Sequence, residues 1–368
     1  MSINPWGSHP GRKILVTGAA GFIGSHVCDA LLARGDTVVG LDNFDDGYDP
    51  SIKLKNISDA SRHREYRLVH GDIRDGDLID SVFDEGRFDT LIHLAARAGV
   101  RPSIQRPTLY DAVNVAGTTM ILQRAAAFGV KHVVLASSSS VYGATSVPPF
   151  REDDAADQPS SPYAATKRAN EMAAYAFHHI HGGSVTCLRF FTAYGPRQRP
   201  EMAIHRFTRL IASGEPVTVF GDGTTTRDYT YIDDIVSGVI AAADRPAGYR
   251  IYNLGTTSTT LLLDVVHKVG DLLGLTPDVM HLPLQDGDVP STMADISLAR
   301  RELGYQPTTD IDQGLAKFVE WYVGNGIERL LPAELTPLPS RRLGQPSDLA
   351  HTVIDLTDSQ LAIEEKAS

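Results

Sequence analysis

A tyrosine and a lysine one helical turn apart can turn a phenol into a base. Tyr163-Ala164-Ala165-Thr166-Lys167 has that spacing, and residues i and i+4 of a helix lie one above the other. A free tyrosine, with a pKa of about 10, accepts protons poorly at neutral pH. Lowering that value by about 3 units means stabilising the phenolate by roughly 4 kcal/mol, which a nearby cation can do. Ser138 adds a hydroxyl. It lies in Ser137-Ser138-Ser139-Ser140, just after an apolar run of strand length over 132–136. Ligands of open α/β sheets bind outside the carboxyl ends of the strands, so this hydroxyl would face a reacting carbon. Ser138, Tyr163 and Lys167 are thus the catalytic candidates, and the chemistry is proton transfer at a hydroxyl or ketone.

These groups need a frame and a second reactant, and the start of the chain suggests both. Lys13-Ile14-Leu15-Val16-Thr17 reads as a strand and runs into Gly18-Ala19-Ala20-Gly21-Phe22-Ile23-Gly24, followed at once by a helical pattern with Val27, Leu31 and Leu32 on one face. Glycines so spaced let the backbone approach a pyrophosphate while the first N–H groups of the helix point at it. A second apolar strand over 37–41 ends in Asp42, about where an acid would receive a ribose hydroxyl pair. No arginine follows in Asn43-Phe44-Asp45-Asp46 to meet a 2′-phosphate, so NAD is favoured over NADP. Further strands are predicted over 66–69, 90–94 and 185–190, alternating with helices over 51–62, 78–83, 108–128 and 161–181. Ser161-Pro162 marks the start of the last of these as N-cap and first helical residue. Such alternation calls for an α/β fold of Rossmann type: a doubly wound parallel sheet with helices on both faces.

The chain has 368 residues, enough for one large or two modest domains. Residues 1–11 read as a flexible leader, 12–191 as the NAD-binding domain, and 192–331 as a smaller mixed α/β lobe interrupted by Pro and Gly. Some segments of that lobe return to the first domain. Its helical patterns fall near 231–243, 261–273 and 315–323. Residues 332–368, without sustained periodicity, read as a disordered tail. A net charge of −11 and the lack of a basic stripe argue against nucleic acid. No run has the length and apolarity to span a bilayer, and the two cysteines, Cys28 and Cys187, suggest no disulfide framework. A cytoplasmic protein with no metal is expected.

Taken together, Gly18-x-x-Gly21-x-x-Gly24, Asn114-Val115-Ala116-Gly117-Thr118, Ser138 and Tyr163-x-x-x-Lys167 resemble the extended short-chain dehydrogenase/reductase family over roughly residues 12 to 330. Its members are mostly nucleotide-sugar epimerases, dehydratases and decarboxylases that keep NAD bound. The resemblance implies that Gly18, Gly21, Phe22, Ile23, Gly24, Asp42, Asn43, Asp72, Ile73, Leu94, Ala95, Ala96, Tyr163 and Lys167 hold NAD. It further implies that Asn114 supports the site and that the protein is a homodimer, through helices near 108–128 and 163–181.

Departures within the family point to a reaction. Sugar 4,6-dehydratases carry Thr-Asp-Glu where this chain has Ser138, Ser139 and Ser140, and water elimination needs that acid and base. Epimerases of UDP-galactose and decarboxylases of UDP-glucuronate usually carry Asn where this chain has Thr192. The stretches 189–203 and 95–103 are similar to UDP-glucuronate 4-epimerases. A sugar carboxylate needs a cation and a hydroxyl, and Arg199 with Thr192 is a plausible pair. Substrate contacts are expected from Arg101, Ser139, Ser140, Thr192, Arg199 and Ala203. The resemblance matches Arg227 to a diphosphate-binding arginine and Asp288 to a nucleotide-ribose contact. Gln285 stands where relatives often have Arg, and Arg206 is the candidate to replace it. The expected reaction is 4-epimerisation of UDP-glucuronate to UDP-galacturonate through a 4-keto sugar. The alternatives are a UDP-glucose/galactose 4-epimerase, a UDP-glucuronate decarboxylase, or an NAD-binding regulator on the same scaffold. Whether the base is uracil or thymine is left open.

Overall fold

Seven strands, all parallel, form the central sheet of the computed structural model, which describes residues 11–144, 146–283 and 289–325. In chain order the first six are β1 (Lys13–Thr17), β2 (Thr37–Asp42), β3 (Tyr66–His70), β4 (Thr90–His93), β5 (His132–Ser138) and β6 (Ser184–Phe190). The seventh, Tyr249–Leu254, comes from far along the chain and pairs with β6. The order across the sheet is β3, β2, β1, β4, β5, β6 and Tyr249–Leu254. That order reverses between β1 and β4, so the connections after these two strands leave in opposite directions and open a crevice at their carboxyl ends. Thr17 pairs with Leu41 on one side and His93 on the other, which brings those ends level. All residues of β4 and β5 are buried, as expected of strands covered on both faces.

The helices begin and end where their sequences dictate. Phe22–Arg34 starts inside the glycine turn and stops at Gly35, whose φ of 97° is left-handed. Pro162–His181 is capped by Ser161, whose hydroxyl accepts the Ala164 N–H at 3.1 Å, and stops at Gly182. Two expected helices are interrupted. The 108–128 pattern resolves into Pro107–Tyr110, a π-helical stretch Asp111–Gly117, and Thr118–Ala127. The 51–62 pattern becomes Pro50–Asn56 and a short 3-10 turn, Ala60–Arg62. Beyond β6 the chain makes small paired segments, Thr192–Tyr194 with Tyr229–Tyr231 and Val217–Phe220 with Val279–Leu282. Among the described residues no helix is long and apolar enough to cross a membrane. The leader up to residue 10 and the proposed tail lie outside the described residues.

Two buried polar groups bind the sheet to its helices. Glu171, on Pro162–His181, receives Arg189 Nε at 2.8 Å and its terminal nitrogen at 2.9 Å, Arg168 at 2.8 Å and the Ser137 hydroxyl at 2.6 Å. Burial raises the Glu171 pKa, but the hydrogen bonds and charge of Arg189, with Ser137 and Arg168, hold it below its ordinary value. His93, at the end of β4, lies between the hydroxyls of Thr17 (2.7 Å) and Thr118 (3.0 Å). Burial, with the charge of Lys167, lowers its pKa to about 3.

Both carry measurable consequences. Arg189→Met leaves Glu171 buried without its main partner and should cost about 3–5 kcal/mol in urea unfolding. For His93 the unfolded state takes up a proton below about pH 6.5 while the folded state resists. Stability is therefore lost as the pH falls from about 6.5 towards the folded value. His93→Gln should show a shallower loss between pH 6.5 and 5, by up to ~1.4 kcal/mol per pH unit. Equal slopes in the two proteins would show that His93 does not titrate on unfolding.

Candidate functional site

The turn after β1 is built by atoms it lacks. Gly18 has φ 71°, and a Cβ there would lie 2.7 Å from the Ala95 nitrogen. A Cβ on Gly24 would lie 2.0 Å from the Gly18 carbonyl oxygen. Only glycine at both positions lets the helix Phe22–Arg34 start against the strand. The first N–H groups of a helix have no partner within it, and here they open on a cavity of about 650 Å³. Gly18, Gly21, Phe22, Ile23, Gly24, Leu94 and Ala96 form one side of it.

A second cavity of about 380 Å³ shares Gly18, Gly21, Leu94 and Ala96 with the first and continues past the end of β2. Its lining includes Asp42, Asn43, Asp72, Ile73 and Ala95. Asp42 Oδ2 accepts the Ala20 N–H at 3.0 Å, and Oδ1 accepts the Phe44 N–H at 2.9 Å. Asn43 donates to Asp72 at 3.0 Å. Hydrogen bonds from Arg74, which outweigh burial, lower the Asp72 pKa to about 2. A phosphate cradle between two cavities, with an acid at the end of β2, fits a dinucleotide.

Ser138, Ser139, Ser140, Tyr163 and Lys167 face the glycine turn across the larger cavity. Lys167 is 4% exposed and donates to the Ala136 carbonyl at 2.9 Å. Burial lowers its pKa to about 8. Its Nζ lies 6.0 Å from the centre of the Tyr163 ring. Burial raises the Tyr163 pKa, while a hydrogen bond with Ser138 and the charge of Arg199 oppose the rise. Arg199 thus joins Lys167, the cation expected from the sequence, on the phenol's side of the cavity. Asn114 stands behind the wall. Its side chain accepts the Arg97 N–H at 2.7 Å, and donates to the Arg97 carbonyl at 2.9 Å and the Thr166 hydroxyl at 3.0 Å. It thereby ties the loop after β4 to the helix of Tyr163. The π-helical stretch around Asn114 belongs to a class of helix distortion common at functional sites.

Thr192, Arg199 and Arg101 line the same cavity. Arg199 Nε lies 3.2 Å from Glu201, and the guanidinium of Arg101 sits 4.5 Å from the centre of the Phe220 ring. Arg199 and Glu201 line both cavities. The segment before them is fastened to the first helix: His26 meets the Pro196 carbonyl at 2.9 Å and Arg197 pairs with Asp29 at 2.7 Å. Ala203, Arg206 and Arg227 line neither cavity. Arg227 donates to the Thr226 carbonyl at 2.8 Å. Asp288 and Gln285 lie outside the described residues.

Sequence reasoning missed Lys53 and Tyr48 in the second cavity and Glu201 in both. Nothing local to the 48–53 stretch signals a return to Asp42. Glu201 was within reach, since it lies in the stretch 189–203 already singled out.

Residues 14–255 match the family described as Epimerase: NAD dependent epimerase/dehydratase family. UDP-glucuronate 4-epimerase 4 of Arabidopsis thaliana is 46% identical over 332 residues, covering 85% of this chain and 76% of its own. UDP-glucuronate 4-epimerase of Thermodesulfobacterium geofontis is 41% identical over 308 residues, covering 83% and 95%. The crystal structure of UDP-glucuronic acid 4-epimerase from Bacillus cereus, in complex with UDP-glucuronic acid and NAD, superposes with a TM-score of 0.80. It is 35% identical and covers 85% of this chain and 99% of that one. On these matches and the dinucleotide cradle that accompanies them, the chain belongs to the NAD dependent epimerase/dehydratase family.

Proposed function

We propose that the protein is an NAD-dependent 4-epimerase that interconverts UDP-glucuronate and UDP-galacturonate. One observation carries the reading. A single cavity is lined by the glycine turn, by Ser138, Tyr163 and Lys167, and by Thr192 and Arg199. The relatives named for this reaction support the choice of sugar. NAD, when bound, accepts a hydride from C4 of the sugar and returns it to the opposite face.

The chain's own groups do the rest. Tyr163 takes the proton of the C4 hydroxyl and later gives it back. Burial raises its pKa, and the Ser138 hydrogen bond, the charges of Arg199 and Lys167 and a cationic ring work against that rise. Ser138 holds the C4 oxygen, and Lys167, whose Nζ gives one N–H to the Ala136 carbonyl, holds a ribose with its remaining donors. The 4-keto uronate is a β-keto acid, which loses CO₂ when the bond to its carboxylate aligns with the ketone π system. Thr192 and Arg199 hold the carboxylate out of that alignment. A guanidinium has five N–H donors, so the Glu201 contact leaves capacity for a second carboxylate.

A homodimer belongs to the same reading. On Pro162–His181 the apolar side chains of Met172, Tyr175 and Ile180 are 63, 54 and 70% exposed, which supports a partner on that helix. The two thiols, free and buried, are consistent with a reducing compartment such as the cytoplasm.

Tyr163→Phe should lower turnover of UDP-glucuronate about 10³-fold or more while NAD stays bound; near-normal turnover would remove the phenol from the mechanism. The double variant Thr192→Ala, Arg199→Ala should release UDP-pentose, seen by NMR of the products. An unchanged product ratio would count against the clamp.

A further inference from the structure

The proposed reaction gives no task to Lys53, a buried cation beside the acid at the end of β2. Lys53, on Pro50–Asn56, brings its Nζ to 3.3 Å from Asp42 Oδ1. The two side chains are 9 and 5% exposed, and both line the second cavity. The same Nζ lies 5.4 Å from the centre of the Tyr48 ring, another lining group. A carboxylate offers about four acceptor positions and an ammonium three donors. The N–H groups of Ala20 and Phe44 together with Lys53 occupy three positions on Asp42. One acceptor on Oδ2 remains, and two donors on Lys53 beyond the one given to Asp42. The pair therefore offers vicinal hydroxyls both an acceptor and a donor.

A 2′-phosphate would meet the same two groups with opposite results, repelled by Asp42 and attracted by Lys53. We propose that Lys53 is a specificity-determining residue of the dinucleotide cleft: it neutralises Asp42, donates to the adenosine ribose, and can receive a 2′-phosphate once the Asp42 charge is gone. The inference rests on the reading of the cleft as an NAD site. It makes rejection of NADP depend on Asp42 alone, working against a cation already in the pocket.

The test uses the full chain as purified, in four forms: wild type, Asp42→Ser, Lys53→Met and the double variant. Each is incubated with NAD and NADP in competition, and the bound nucleotide is released and identified by mass spectrometry. Thermal stabilisation by each nucleotide is a second readout. Asp42→Ser should shift the bound NADP/NAD ratio on the order of tenfold or more towards NADP, and adding Lys53→Met should abolish the shift. Lys53→Met alone should raise the NADP concentration needed to displace half of the bound NAD. An equal NADP share in Asp42→Ser and the double variant would overturn the proposal, as would an Asp42→Ser protein that takes up NAD and still excludes NADP. Should Asp42→Ser fail to fold, displacement from Lys53→Met decides, and an unchanged or lower NADP requirement overturns the proposal. A wild-type protein that holds neither nucleotide would instead overturn the reading of the cleft, and the proposal with it.

Discussion

A nearly dry ammonium fixes the geometry on which the rest depends. Lys167 reaches from the second turn of Pro162–His181 to the Ala136 carbonyl in β5, two residues before Ser138. Its charge is costly to bury, as its lowered pKa records. One turn further on, Glu171 grips Ser137 and Arg189, so the same helix is fastened to β5 and β6. A helix held at two heights against two strands cannot turn about its axis. That constraint sets where the Tyr163 hydroxyl stands relative to Ser138.

The opposite wall is set by close approach rather than by charge. Gly18 and Gly24 bring the first helix against β1, and the helix in turn anchors the segment that leads to Arg199. The dinucleotide cradle and the segment that carries Arg199 thus hang on one element, Phe22–Arg34. This coupling gives a physical reason for a cofactor that stays bound: Arg199 and Glu201 belong to both cavities and lie where a dinucleotide and a sugar would meet. Residues 326–368 and Asp288 lie outside the described residues.

Much of this was legible in the chain because it is written locally. The apolar runs of β1, β2, β4, β5 and β6 announced the strands within a residue or two, and Ser161-Pro162 marked the start of its helix. The glycine spacing led to the cradle for a steric reason that survives any change of neighbours. What the sequence hid was set by distant pairing. The strand Tyr249–Leu254 has no local mark that assigns it to the central sheet rather than to the second lobe. The π-helical stretch at Asp111–Gly117 carries a helical pattern and shows its extra residue only in space. Lys53 lies eleven residues from Asp42 in a polar stretch, where solvated lysines are the rule. Arg199 was expected to act on a carboxylate, and its influence on the phenol emerges only from the fold.

In 4-epimerisation with NAD, hydrogen leaves C4 of the sugar as hydride and returns to the same carbon within one cavity. UDP-glucuronate carrying deuterium at C4, turned over in ordinary water and followed by NMR, tests it most directly. The expected product is UDP-galacturonate with inverted C4 that still carries the deuterium. Product whose C4 bears hydrogen from the solvent would contradict it.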